Sequence, residues 1–351
     1  MNKWLDLLQA ADLSPLQQLR EGETRLGESL QFLNPLLPLA DALENAVAQG
    51  CKYAIVGIPE DIGPRANLGN GGAELGFQAF LSRFLNLQHN ETIQPQQILL
   101  LGSVHCNDLL HTSRNLSPAE PAELAQLRGL CTQLDARVAD VLQGVFAAGL
   151  IPIVIGGGHN NALPILQALA TCTGEAADAI NLDPHCDFRL LEGRHSGNGF
   201  SYAHRAGWLR RYFVLGLHEQ KNSQSALQQM REAGVGYRSY QEIYQSRSIT
   251  LAQAIDDALT FIDANAASPL GIELDTDSIS GMPVSAMTNT GVSVSDAEYF
   301  VYRLASLPRV RYLHLAEAAP AMHPAGLKIG LSEAGQILSA LVLAFIAAQT
   351  H

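Results

Sequence analysis

The sequence predicts an α/β fold, a three-layer α/β/α arrangement around a mainly parallel, doubly wound sheet. Three observations predict it. From residue 53 onward, short apolar runs alternate with glycine-bearing turns and amphipathic stretches of helical period, a pattern that builds a parallel sheet covered by helices on both faces. Several of the apolar runs lack the polar residue at every second position that marks a half-exposed strand, as expected when both faces are buried. The chain has 351 residues, 47% of them hydrophobic, enough for a full core, and no linker or low-complexity segment divides residues 50–351.

In chain order, residues 1–49 read as short helices broken by Pro15, Pro35 and Pro38, with Leu36, Leu37, Leu39 and Leu43 left to pack, a helical extension over one edge of the main domain. Residues 50–351 read as one main domain. Its strands are expected at 53–58, 98–101, 151–155, 179–182, 212–217, 270–274 and 311–315. Its helices are expected at 74–84, 121–148, 162–170, 226–233, 251–265, 295–307 and 332–348. The N-terminus has no basic stretch ahead of a sustained apolar core, and no uninterrupted apolar run approaches the ~20 residues of a membrane span. Five cysteines (Cys51, Cys106, Cys131, Cys172 and Cys186) without C-x-x-C spacing fit a reducing compartment, so a soluble, unprocessed cytoplasmic protein is expected. Acids exceed bases by 12, which argues against nucleic acid or an anionic membrane as the main partner.

The chemistry concentrates in Asn181-Leu182-Asp183-Pro184-His185-Cys186-Asp187. Alternate residues of an extended chain share a face, so Asp183, His185 and Asp187 converge at a strand tip, where a metal ion best explains them. Ligand sites of open α/β sheets gather at the carboxyl ends of strands, so further ligands are expected at other tips. Gly156-Gly157-Gly158-His159 ends one strand; a phosphate loop would want Lys followed by Ser or Thr, which is absent. Asp275 and Asp277 end another, although an acidic pair alone also suits a helix cap. Two histidines and four aspartates are too many for one ion, whereas two divalent ions ~3.5–4 Å apart share bridging carboxylates. Ligation without thiolate favours two Mn2+ per subunit, or another first-row divalent ion. Cys186 falls on the opposite face and reads as a packing residue. Glu273 continues the alternation deeper in its strand and needs a partner.

These motifs resemble the ureohydrolase family, which includes arginase, agmatinase, proclavaminate amidinohydrolase and formimidoylglutamase. Gly156-Gly157-Gly158-His159 resembles the family's G-G-x-H, Asp183-Pro184-His185-Cys186-Asp187 its D-A-H-x-D, and Glu273-Leu274-Asp275-Thr276-Asp277 its S-x-D-x-D. Upstream, the stretch 57–63 with Gly69, Gly71 and Gly72 resembles its first glycine-rich loop. The resemblance covers residues ~50 to the C-terminus. It implies an arginase-like fold and a manganese pair bridged by Asp183 and Asp275, with His159 and Asp187 completing one site and His185 and Asp277 the other. It also implies hydrolysis of an amidine C–N bond, with Glu317 pairing with the cationic amidine, a task suited to a bidentate acceptor, and assembly as a trimer or hexamer.

Departures bear on the substrate. Asn160, Pro184 and Glu273 replace the usual residues, and Ser280-Gly281 stands where Asp-Pro is common; none removes a ligand. Ser196-Gly197-Asn198-Gly199-Phe200 resembles the S-G-T-P-F of formimidoylglutamases rather than the histidine-headed stretch of arginases, with His195 one residue earlier as a candidate proton carrier and Ser196 and Asn198 as candidate substrate contacts. Arg189 stands where formimidoylglutamases carry Arg, and a cation there suits a dicarboxylate; Arg65 and Asn67 on the first loop are further candidates, with Arg194 in competition. The expected activity is hydrolysis of N-formimidoyl-L-glutamate to L-glutamate and formamide, a step of histidine degradation. A guanidino hydrolase releasing urea, a catalytically inactive binding protein of the same fold and a single-zinc deacetylase are the alternatives.

Overall fold

Apolar residues at both parities of the central strands feed two separate cores. Ile153 and Ile155 enter one, while Val154 between them enters the other; Ile180 and Leu182 divide from Ala177 and Ala179 in the same way. The computed structural model describes residues 2–263 and 265–350. Among them, nine strands, β1 (Leu5–Leu7), β2 (Tyr53–Gly57), β3 (Ile98–Val104), β4 (Ile151–Ile155), β5 (Ala177–Leu182), β6 (Leu209–Leu217), β7 (Gly236–Ser239), β8 (Leu270–Asp275) and β9 (Val310–Ala316), form one sheet in the order β1-β3-β2-β4-β9-β8-β5-β6-β7. Every neighbouring pair is parallel except β1 with β3.

The helices are α1 (Ala10–Leu13), α2 (Leu39–Ala48), α3 (Ile62–Ala66), α4 (Gly76–Phe84), α5 (Asn107–Ser113), α6 (Pro121–Ala147), α7 (Ala162–Thr173), α8 (Gly199–Arg205), α9 (Gln224–Glu232), α10 (Leu251–Phe261), α11 (Val294–Ala305) and α12 (Leu327–Thr350). α4, α10, α11 and α12 bury their apolar stripes on one face of the sheet, and α2, α6, α7, α8 and α9 on the other. This is the expected three-layer arrangement.

The differences from expectation lie at the sheet edges, at helix ends and in three short helices, α3, α5 and α8, that the sequence pattern does not predict. Residues 1–49 are not simply helical: β1 adds an antiparallel edge strand to β3, with Leu5 opposite Val104. Three residues are too few for periodicity to register, and the four of β7, Gly236-Tyr237-Arg238-Ser239, make no apolar run. α10 stops at Phe261, short of the expected 265, and residue 264 of that span lies outside the described residues. Although polar residues interrupt it, the stretch Leu327–Gln349 has the length and hydropathy, 1.8, of a helix able to cross a membrane. Its apolar side, including Leu338, Leu341 and Phe345, is buried in the core. Gly335 permits close approach to α4, since a Cβ there would lie 2.1 Å from the Ala79 carbonyl oxygen.

At the amino end of β5, buried Asp178 accepts hydrogen bonds from Arg210 Nε (2.9 Å) and Nη2 (2.7 Å), Arg309 Nη1 (2.9 Å) and Ser268 Oγ (3.2 Å), tying β5 and β6 to the segments that lead into β9 and β8, away from the strand tips. Asp178→Ala would strand the buried Arg309 charge, and a loss of about 3–5 kcal/mol is expected. Urea unfolding measures it; a loss below about 1 kcal/mol would show that the carbonyls around Arg309 suffice.

Candidate metal centre

The four central strands β4, β9, β8 and β5 end side by side, and the turns after β4, β9 and β5 pass through left-handed backbone. β4 leads into Gly156 (φ 88°) and Gly157 (φ 71°), left-handed conformations that favour glycine. Buried Glu60 then clamps the turn: Oε1 accepts from Gly158 N (2.7 Å) and Asn161 Nδ2 (2.8 Å), and Oε2 from Gly63 N (3.0 Å). A Cβ on Gly157 would lie 2.9 Å from that same Oε1. Asp187 (φ 45°) and Glu317 (φ 67°) hold left-handed backbone without being glycine, strain of the kind that collects at functional sites.

The turns deliver all six expected ligands to one place. His159 Nδ1 lies 3.0 Å from Asp187 Oδ2, 3.3 Å from Asp183 Oδ2 and 3.4 Å from Asp275 Oδ2. His185 Nδ1 lies 3.0 Å from Asp277 Oδ2 and 3.6 Å from Asp183 Oδ1. Two ligand groups result, His159 with Asp183, Asp187 and Asp275, and His185 with Asp183 and Asp277, the donor atoms of each lying within 4.8 Å of one another. Asp183 belongs to both. Asp275, expected to bridge as well, falls in the His159 group, and its Oδ1 accepts from Asp277 N at 2.8 Å as Asp183 Oδ1 accepts from His185 N at 2.6 Å.

The electrostatics are those of a place built for cations. Burial pushes Asp183 up to about 6, Asp275 well above the usual carboxylate range and Glu317 up to about 8, with neighbouring carboxylates adding to each. Burial works against protonation of His185 and His159, but the surrounding carboxylates outweigh it, raising His185 to about 10 and His159 well above 6.5. Burial also pushes Asp277 up, yet His185 overrides it and the net shift is downward. His159 Nδ1 and Asp277 Oδ1 are buried without a well-formed hydrogen bond. Crowded, desolvated carboxylate oxygens with a buried imidazole nitrogen that lacks a well-formed hydrogen bond, and no thiolate, fit hard first-row divalent ions. Cys186 packs in the core as expected, its thiol pushed up to about 12 by burial.

A cleft of about 350 Å3 opens onto this cluster, a volume suited to an amino-acid derivative. His185, Asp187, Asp275, Asp277 and Glu317 line its floor, and Asn67, Arg189 and Ser196 line its wall. Asn67 Nδ2 donates to Ser196 Oγ at 3.3 Å. Gly197 leaves room for this wall, since a Cβ there would fall 2.9 Å from Asn67 Nδ2 and 3.2 Å from Arg189 Cδ. Other expected contacts go elsewhere. Arg65 turns away to Ser113 Oγ (3.2 Å) and to the Ser113 and Leu116 carbonyls (both 2.8 Å). Asn198 is fully buried, its Oδ1 taken by Arg194 Nη1 (2.6 Å) and His195 N (3.1 Å). Arg194 forms a buried ion pair with Asp135 at 2.8 Å. His195 is sealed from solvent, its Nδ1 accepting from Gly197 N, and burial together with Arg128, Arg189 and Arg194 pushes it down to about 3. Arg65 thus turns to a distant helix, whereas Asn198 and His195 close a local turn with Arg194 and Gly197.

Lys221, Asn222, Gln229 and Ser285 also line the cleft and carry no sequence signature. Among the described residues, neither Arg189 nor Lys221 has an ion-pair partner within 4.0 Å, so two cations stand free beside an acidic floor.

The sequence matches the model of the Arginase family over residues 51–343. A protein of Chromobacterium violaceum named formimidoylglutamase is 29% identical over 273 residues, 76% of this chain and 80% of that protein. Among solved structures, formimidoylglutamase from Bacillus subtilis subsp. subtilis str. 168 superposes with a TM-score of 0.72 at 14% identity, covering 97% of this chain and 99% of that one. Trypanosoma cruzi formiminoglutamase with Mn2+ superposes with a TM-score of 0.67 at 20% identity, covering 92% and 99%. At these identities the structural matches speak to the fold.

Two outcomes are expected. Asp183→Ala, removing the carboxylate common to both groups, should lower bound manganese from about two per chain to well below one by atomic emission, while His185→Ala should leave about one; full occupancy in Asp183→Ala would contradict the shared role. With cations chelated away, raised pKa values mean that the folded state holds more protons than the unfolded chain over roughly pH 4 to 10, so this part of the stability is lost as pH rises. Mn2+ should therefore raise the melting temperature more at pH 8 than at pH 6, and an equal or smaller rise at pH 8 would refute the electrostatic account.

Proposed function

The chain belongs to the arginase family, and from that premise we propose that it is a binuclear manganese hydrolase converting N-formimidoyl-L-glutamate and water to L-glutamate and formamide. The carrying observation is the pairing of two free cations, Arg189 and Lys221, with an acidic floor that ends in Glu317. An amidinium at one end and carboxylates at the other match that polarity. Relatives named formimidoylglutamase support the reading.

Two divalent ions bound by His159, Asp183, His185, Asp187, Asp275 and Asp277 would supply Lewis acidity and bring the pKa of water toward neutrality. The protein's own groups then set the geometry. Glu317 Oε1 accepts from His159 N at 2.9 Å, which fixes the carboxylate above the floor and leaves Oε2 for the amidine N–H groups. Burial raises this carboxyl to about 8, and an amidinium or bound cations favour its ionised form. Arg189 and Lys221 hold the substrate carboxylates through charge-assisted bonds, and Asn67 and Ser196 contact the segment between. As water adds at the amidine carbon and the C–N bond breaks, the leaving nitrogen takes its proton from solvent in the cleft, because His195 is sealed away and kept neutral. All five cysteines are free, which suits the reducing cytoplasm.

Protein loaded with Mn2+ should release formamide from N-formimidoyl-L-glutamate and no urea from arginine or agmatine; urea without formamide would reverse the assignment. Arg189→Ala and Lys221→Ala should each raise KM roughly tenfold or more with a smaller change in kcat, the size of a lost charged hydrogen bond. Glu317→Gln should lower kcat/KM by at least about 100-fold with metal content unchanged.

A further inference from the structure

The sheet face that carries the ligands has a second polar row beneath them, at the same parity. Asn181 on β5 is the register partner of Glu273 on β8, and Glu273 that of His314 on β9. All three side chains are completely buried. A carboxylate there stands two residues below Asp275, inside a sheet whose other face at that level is Ile272 and Leu274. Glu273 gathers three contacts: Tyr312 OH donates to Oε1 at 2.7 Å, His314 Nδ1 donates to Oε2 at 2.7 Å, and His159 Nε2 lies 3.3 Å from that same Oε2.

The last contact decides how His159 can be used. An imidazole that gives its Nε2 proton to a carboxylate presents the lone pair at Nδ1, and Nδ1 is the atom facing Asp183, Asp187 and Asp275. We propose that Glu273 is a positioning residue for His159, accepting its Nε2 proton so that Nδ1 points into the ligand group, and that His314 and Tyr312 lock Glu273 in that pose. Carboxylates behind a ligating imidazole fix its tautomer and orientation and raise its basicity. His159, Glu273 and His314 are themselves close enough to hold a cation. A neutral imidazole coordinates through one nitrogen only, however, and that of His159 is committed on the other side.

The inference rests on the metal reading of the site, and the experiment separates the two. Native protein and Glu273→Gln are loaded with Mn2+ and titrated with a competing chelator, and the melting temperature of each metal-free form is recorded. The amide offers one acceptor in place of two, so one of the two ions should bind about 10–100-fold more weakly, with the other ion and the metal-free melting temperature little changed. Tyr312→Phe, which removes a donor and keeps the carboxylate, should stay within about threefold of native. Affinities of Glu273→Gln within twofold of native would overturn the proposal, as would an equal loss of both ions accompanied by a collapse of metal-free stability, the mark of a merely structural role. Native protein that binds no manganese would instead remove the metal reading. Should Glu273→Gln fail to fold, a crystal structure of the manganese-loaded native protein decides: coordination through Nδ1 with Glu273 on Nε2 is expected, and coordination through Nε2 overturns the assignment.

Discussion

Mutual repulsion among buried carboxylates is the constraint around which the rest of this structure is arranged. Asp183, Asp187, Asp275, Asp277 and Glu317 come together at the tips of adjacent strands, each of them buried. Desolvation and like charge both oppose their ionisation, so cations or protons must accompany them. A loose scaffold would let them drift apart. Here the repulsion is contained by short, stiff connections: left-handed Gly156 and Gly157, the Glu60 clamp, and strained backbone at Asp187 and Glu317.

Containment explains why the residues of this cluster were legible in the sequence. Asp183, His185 and Asp187 alternate directly behind one apolar run and Asp275 and Asp277 behind another, which makes them conspicuous in the sequence; only Asp275 lies within its strand, and the turns after β5 and β8 complete the convergence. His159 follows glycines that a close turn requires. The sheet and its two covering layers were legible for the same reason, because buried parallel strands and amphipathic helices leave long periodic traces. β1 and β7 are too short to leave one. Asp275 shows the limit: its type and position follow from the pattern, whereas the hydrogen bond that its Oδ1 accepts from Asp277 N forms only once the 3-10 turn after β8 is in place.

The cleft wall obeys a different rule. Arg65, Asn198 and His195 resemble substrate contacts by position and turn instead to the Ser113 and Leu116 carbonyls, to Arg194 and to Gly197. Loop side chains are assigned by whichever partner lies in reach after folding, and those partners lie from 2 to more than 40 residues away in the chain. Lys221 is the converse case, a residue with no motif that reaches the cleft because the loop after β6 crosses beside the β5 tip. Charge complementarity across the cleft therefore depends on tertiary placement, which is why substrate class is harder to read from the chain than metal ligation.

The polar row at Asn181, Glu273 and His314 joins these two levels. Burying a carboxylate in a sheet costs free energy that an apolar residue of similar size would avoid, and the row does nothing for the hydrophobic layers, which are complete on either side. What it does is fix register. A slip of one residue in β8 would send Glu273 and Asp275 to the face now occupied by Ile272 and Leu274. It would strand Tyr312 OH and His314 Nδ1 without their acceptor as well as removing ligands from the centre. The strand alignment that assembles the ligand cluster is therefore the same alignment that satisfies the buried polar groups beneath it. A misregistered sheet is penalised twice, once at the tips and once in the interior, so the geometry of the centre is specified by the fold before any cation arrives.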